Sequence, residues 1–89
     1  MRAELKTRTD TVKTPVGNVQ VRRYSARGSL RGVFLEGREL GEIQGQGRFV
    51  LVKPHRRYGQ QWRAASYAEG IRQLVNIDAL DHGKDKVFP

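Results

Sequence analysis

The side chains best suited to chemistry in this sequence are cations set among aromatic rings. Between Arg22 and Arg63, ten Lys and Arg stand against Glu36, Glu39 and Glu42, leaving seven positive charges of a total of +8. Nine of the ten are arginine. The guanidinium is planar, stays charged, and offers paired donors that match a phosphate or the edge of a guanine. Tyr24, Tyr58 and Trp62 are interleaved with Arg22, Arg23, Arg56, Arg57 and Arg63. Such a set neutralises phosphates with release of counterions and stacks on a sugar or base. The candidate nucleic-acid-binding residues are therefore Arg22, Arg23, Arg38, Arg48, Lys53, Arg56, Arg57, Tyr58 and Arg63. The plainer alternative is a generally basic surface with Trp62 in the core.

Other chemistries are poorly supplied. Cysteine is absent, which removes disulfides, thiolate nucleophiles and cysteine-ligated zinc. The two histidines, His55 and His82, are far apart in the chain and read as solvent-exposed. Glu36, Glu39 and Glu42 flank one hairpin, and without a desolvating cleft they read as a solvated face paired with neighbouring arginines. Ser66 has a structural use as a helix cap. Asp78, Asp81, His82 and Asp85 match neither the ligand spacing of an EF-hand nor a paired-histidine metal site. Gly45-Gln46-Gly47 opens like a dinucleotide fingerprint, but Val50 stands where the third glycine belongs and a strand follows, so it reads as a hairpin turn. No enzyme activity, metal or cofactor is expected.

The chain that positions these groups has 89 residues, enough for one sheet and one helix. Its 37% hydrophobic residues are enough for a core, and its 29% charged residues favour solubility. No apolar run approaches the roughly 20 residues that cross a bilayer, and the N-terminus lacks an apolar signal segment, so a cytoplasmic protein off the membrane is expected.

Turn residues divide the chain. Residues 1–14 read as a flexible arm or an edge strand, residues 15–80 as a single domain, and residues 81–89 as a flexible tail. After Pro15-Val16-Gly17-Asn18, Val19 and Val21 alternate with Gln20 and Arg22, the period of a strand. Val33, Phe34 and Leu35 form the next. Leu40 and Ile43 follow at a spacing of three, which a β-bulge at Gly41 would reconcile with one core face. Phe49 to Val52 is the most apolar run and predicts a central strand ended by Pro54. Gln60 to Ala64 allows a short last strand presenting Trp62. Ser66 with Glu69 three positions later predicts a capped helix from about Ser66 to Asn76, its stripe made by Ile71, Leu74 and Val75. Gly70 within it marks a close approach of helix to sheet.

The pattern predicts an α+β domain in which an antiparallel sheet of three to five strands is packed by one C-terminal helix. The expected core is Val21, Val33, Leu35, Leu40, Ile43, Phe49, Leu51, Ile71, Leu74 and Val75. The alternate face would carry Arg22, Arg38, Arg48 and Lys53, with Arg56, Arg57 and Tyr58 at its rim.

Leu40-Gly41-Glu42-Ile43, Phe49 to Val52 and Ser66-Tyr67-Ala68-Glu69, read as a basic antiparallel sheet followed by a capped helix, resemble the AP2-type and integrase N-terminal DNA-binding domains over residues 30–76. The resemblance implies a three-stranded sheet in the major groove, backed by the helix. In AP2-type domains the Leu-Gly segment lies directly before the helix, whereas here a further strand and a basic loop intervene, and no base contact is carried over. The element order also resembles the small archaeal chromatin proteins, which lay a sheet face on the minor groove. A double-stranded-RNA-binding domain fits less well, because Ser66 to Gly70 lacks the Lys and Arg its last helix needs.

These features lead to an expected non-enzymatic protein that binds nucleic acid, duplex DNA first, as a monomer or homodimer, in a phage, plasmid or regulatory setting. The alternative is an interaction or inhibitor module that offers its basic face or a sheet edge to an acidic protein.

Overall fold

The computed structural model describes residues 8–24, 28–57 and 59–89. Among them one antiparallel sheet is built from β1 (Arg8–Thr14), β2 (Gly17–Arg23), β3 (Leu30–Leu35), β4 (Arg38–Gln46), β5 (Phe49–Pro54) and β6 (Trp62–Ala64), followed by helix α1 (Tyr67–Asp81). The strands lie in chain order, each paired with the next, and α1 packs against β4, β5 and β6. The α+β class is as expected, but the sheet has six strands among the described residues, not three to five. The difference arises at the ends. Thr9 and Thr11 suit a pleated surface, Val12 pairs with Val19, and Thr14 Oγ1 pins the first turn by donating to the Gly17 carbonyl at 2.7 Å. At the other end, Ala64 pairs with Val50 and is buried under the helix.

The centre of the fold is β4. Val33 pairs with Gly41 and Phe34 with Glu39, so Leu40 is the extra residue of a bulge. That bulge turns both Leu40 and Ile43 into the core, as their spacing of three predicted. Gly41 has φ +151°, and a Cβ there would lie 2.9 Å from both Leu74 Cδ2 and Pro54 Cα. Only glycine fits. Gly70 marks the close approach of the helix: a Cβ there would lie 3.0 Å from Ile43 Cγ2 and 3.3 Å from Val52 Cγ2.

The helix is capped as its sequence predicted, with Ser66 Oγ accepting from the Glu69 amide at 3.2 Å. Glu69 Oε1 in turn accepts from Ala65 N at 3.2 Å, one residue before the cap. The helix runs five residues past Asn76, and its buried stripe continues through Ala79, leaving Leu80 exposed. Residues 84–89, expected in a flexible tail, return to the body of the protein. Asn76 Oδ1 accepts from the amides of Val87 at 2.9 Å and Phe88 at 2.8 Å, while Asn76 Nδ2 donates to the Phe88 carbonyl at 3.0 Å. One amide side chain thus supplies the partners a neighbouring strand would give, and Val87 and Phe88 pack on the core.

The expected core needs one correction. Ile43 pairs with Val52 and Gly45 with Val50, so Val50 and Val52 point at the helix, while Phe49 and Leu51 are half-buried on the opposite face. In a run of four apolar residues the alternation does not say which pair faces inward. Val19, with no exposure at all, joins the buried set together with Ala64 and Ala79.

Replacing Gly41 by alanine should destabilise the fold by about 1–3 kcal/mol through overpacking alone. Gly37, at φ +79° with open space around its Cβ position, is the control: alanine there should cost about 1–2 kcal/mol from backbone strain. Urea unfolding would compare the two, and equal losses would contradict the packing assigned to Gly41.

Candidate nucleic-acid interface

The register sorts side chains onto two faces. Val19, Val21, Val33, Leu35, Ile43, Val50 and Val52 face α1 and are buried, so the residues between them face the other way, where no described element covers the sheet. On that uncovered face the cross-strand partners are Thr9 with Arg22, Gln20 with Phe34, Gly32 with Glu42, Glu42 with Lys53, Gln44 with Leu51, and Leu51 with Arg63.

The nine candidate residues divide between the faces. Arg22, Lys53 and Arg63 lie on the uncovered face, and Arg48 is exposed in the turn between β4 and β5. Arg38, expected beside them, lies on the helix side. It pairs across from buried Leu35, two positions from Leu40, and its Nη1 donates to Asp78 of α1. Arg57 is likewise engaged, donating to Asp81 of α1. Arg23 stands opposite Arg31 on the helix side, with its Nε buried and unpaired among the described residues. Arg56 is exposed in the β5–β6 loop at φ +66°. Tyr58 falls outside the described residues. Trp62 sits on edge strand β6 at 38% exposure, too open for a core residue.

Two aromatic residues missing from the candidate set prove central to the uncovered face. The Arg22 guanidinium lies 4.5 Å above the ring centroid of Phe34, and that of Arg63 lies 4.5 Å above Phe49. Electrostatic attraction between a cation and the negative ring face holds each stack. Phe34 was legible, since a residue between two core positions, Val33 and Leu35, must face away from the core. The Phe49–Arg63 stack was not, because it needs the β5–β6 register.

A third ring completes the face. The Tyr24 hydroxyl rests on Gly32, in the space a Cβ would occupy, beside the Phe34 ring. Its phenol is pushed above the ordinary value of 10.0, first by desolvation and then by the carboxylates of Glu39 and Glu42, with Arg22 opposing. Lys53 Nζ donates to Gln44 Oε1 at 3.1 Å. The face thus carries Arg22 on β2 and Arg63 on β6, with Lys53 across from Glu42 between them and the rings of Phe34 and Phe49 on the intervening strands β3 and β5.

A cleft of about 410 Å³ at the end of the sheet collects both histidines beside Leu40, Pro54 and Ile77. His55 Nδ1 lies 3.5 Å from Glu39 Oε1, while His82 Nδ1 lies 2.8 Å from the Asp78 carbonyl at the helix end. Among the described residues no group of three or more His, Cys, Asp or Glu is placed to hold a metal ion. No helix of the described residues is long and apolar enough to cross a membrane. No protein-family model, curated protein or solved structure matches the chain.

Alkaline titration followed by ultraviolet absorbance should show Tyr24 ionising above pH 10, and Glu39→Gln or Glu42→Gln should bring it down. The folded state holds this proton more tightly than the unfolded chain does. The stability contributed by neutral Tyr24 is therefore full below pH 10 and is lost as pH rises through the raised value. If Tyr24→Phe leaves the absorbance change above pH 10 undiminished, the phenol has been assigned wrongly.

Proposed function

We propose that this chain is a non-enzymatic nucleic-acid-binding protein that lays the uncovered face of its sheet on its ligand. One observation carries this reading: the two arginines of that face lie on aromatic rings, neither with a carboxylate partner among the described residues. Arg38 and Arg57, on the helix side, are neutralised by Asp78 and Asp81. The cations left for phosphates are then Arg22, Lys53 and Arg63, with Arg48 and Arg56 at the margins. A cation freed of internal partners gains most from a phosphate, because no existing pair is broken.

A second reading has its own observation. β1 is an outer strand of seven residues, and a strand edge of that length is a template for pairing with an acidic peptide or a second copy of the chain. Sedimentation, and a pull-down that survives nuclease, would identify that use.

Anisotropy of labelled oligonucleotides across a salt series tests the first reading. Affinity should fall steeply with salt, and replacing Arg22, Lys53 and Arg63 together by alanine should flatten the slope of log affinity against log salt by about 2–3. Alanine at Arg38 and Arg57 should leave the slope unchanged. Absence of binding at about 50 mM salt, the low end of the range where phosphate contacts are strongest, would overturn the proposal.

A further inference from the structure

We infer that the nucleic acid taken by this face is a single strand, with bases stacked on the guanidinium planes of Arg22 and Arg63. The inference rests on the nucleic-acid reading above and replaces its duplex form. Each guanidinium carbon lies over a phenylalanine ring at 4.5 Å, which anchors the group on one side and leaves the side away from the ring for a base. Only an unpaired base has a free π-face to give it, since in a duplex both faces are covered by neighbouring pairs.

The charges of the face point the same way. Glu39 and Glu42 are both close enough to Tyr24 to raise the phenol; Glu42 lies on β4 between the strands that carry the two stacks, and Glu39 stands across from Phe34 at the first stack. A rigid duplex laid across the face would set phosphates against these carboxylates. A single strand rotates its bases inward instead, so that base N–H donors, the thymine imide included, meet the carboxylates and phosphates run outside, toward Lys53 and the arginines.

The dimensions agree. Phe34 pairs with Glu39 of β4 and Phe49 with Gln46, positions about 20 Å apart along the strand. A strand of several nucleotides spans both planes, within the site sizes of about 4–16 nucleotides that sheet-based single-strand binders use. Tyr24, 42% exposed over Gly32, provides a further ring between them.

The experiment separates stacking from charge. A labelled oligothymidylate of about 12 nucleotides, a mixed-sequence single strand and its duplex are titrated at one salt concentration, with Arg22→Lys/Arg63→Lys as the variant. Lysine keeps the charge and loses the plane. The single strands should bind at least about tenfold tighter than the duplex, and the double lysine variant should lose about tenfold or more on single strands with its salt slope unchanged. Phe34→Leu/Phe49→Leu, verified as folded by its thermal melt, should reproduce that loss. Duplex binding equal to or tighter than single-strand binding overturns the inference while leaving the nucleic-acid reading standing. So does an undiminished affinity of the lysine variant. Failure to bind any of the three probes removes both.

Discussion

A bulge in β4 places Leu40 and Ile43 on one side of the sheet, and the docking of α1 depends on it. Without the extra residue, a spacing of three would send one of the two side chains to each face. With it, Ile43 meets the close approach at Gly70, and Leu74 enters the space a side chain at Gly41 would fill. The two glycines serve the contact differently: a Cβ at Gly41 would collide with the β5 backbone and with Leu74, while one at Gly70 would press on the side chains of Ile43 and Val52. The side of the sheet that carries this contact is closed to ligands, and the opposite side is left to solvent.

That division also decides which cations are free. The helix brings Asp78 and Asp81 to the end of the sheet where Arg38 and Arg57 stand, and these four groups satisfy one another. Exposed pairs of this sort contribute little stability, about 0–1 kcal/mol each, but they remove two arginines from the set available to an anion. On the other side Glu39 and Glu42 are too few to neutralise Arg22, Lys53 and Arg63, and two of those three cations rest on rings instead. The pairing of Arg38 and Arg57 thus takes two cations off the helix side and leaves Arg22, Lys53 and Arg63 together on the open face.

Much of the fold was legible. The alternation of Val19 and Val21, the irregular spacing around Gly41, the apolar stripe from Ile71 to Val75 and the Ser66 cap are local signals, each set by one or two turns of chain. The six-strand width was less so, because β1 and β6 are edge strands with few apolar residues and are recognised by what they pair with. The return of Val87 and Phe88 to Asn76 had no local signal, since a single amide side chain on the helix supplies their backbone partners. The site was legible in composition but not in arrangement. Arg22, Lys53 and Arg63 share a face, while Arg23 and Arg38 lie on the helix side and Arg57 is paired with the helix.

By itself the sequence determined the element order, the bulge, the helix cap and the excess of arginine, all properties of residue type and short-range spacing. Only the tertiary structure decided that Val50 and Val52, not Phe49 and Leu51, meet the helix, because four consecutive apolar residues satisfy either face until the ladder to Ile43 selects one. It also decided which arginines stay free. Their neutralising partners lie 40 and 24 positions away in the chain, and the helix must dock before those carboxylates come within reach. The stacks of Arg22 on Phe34 and Arg63 on Phe49 arise likewise from strand register, which brings together side chains that the sequence keeps apart.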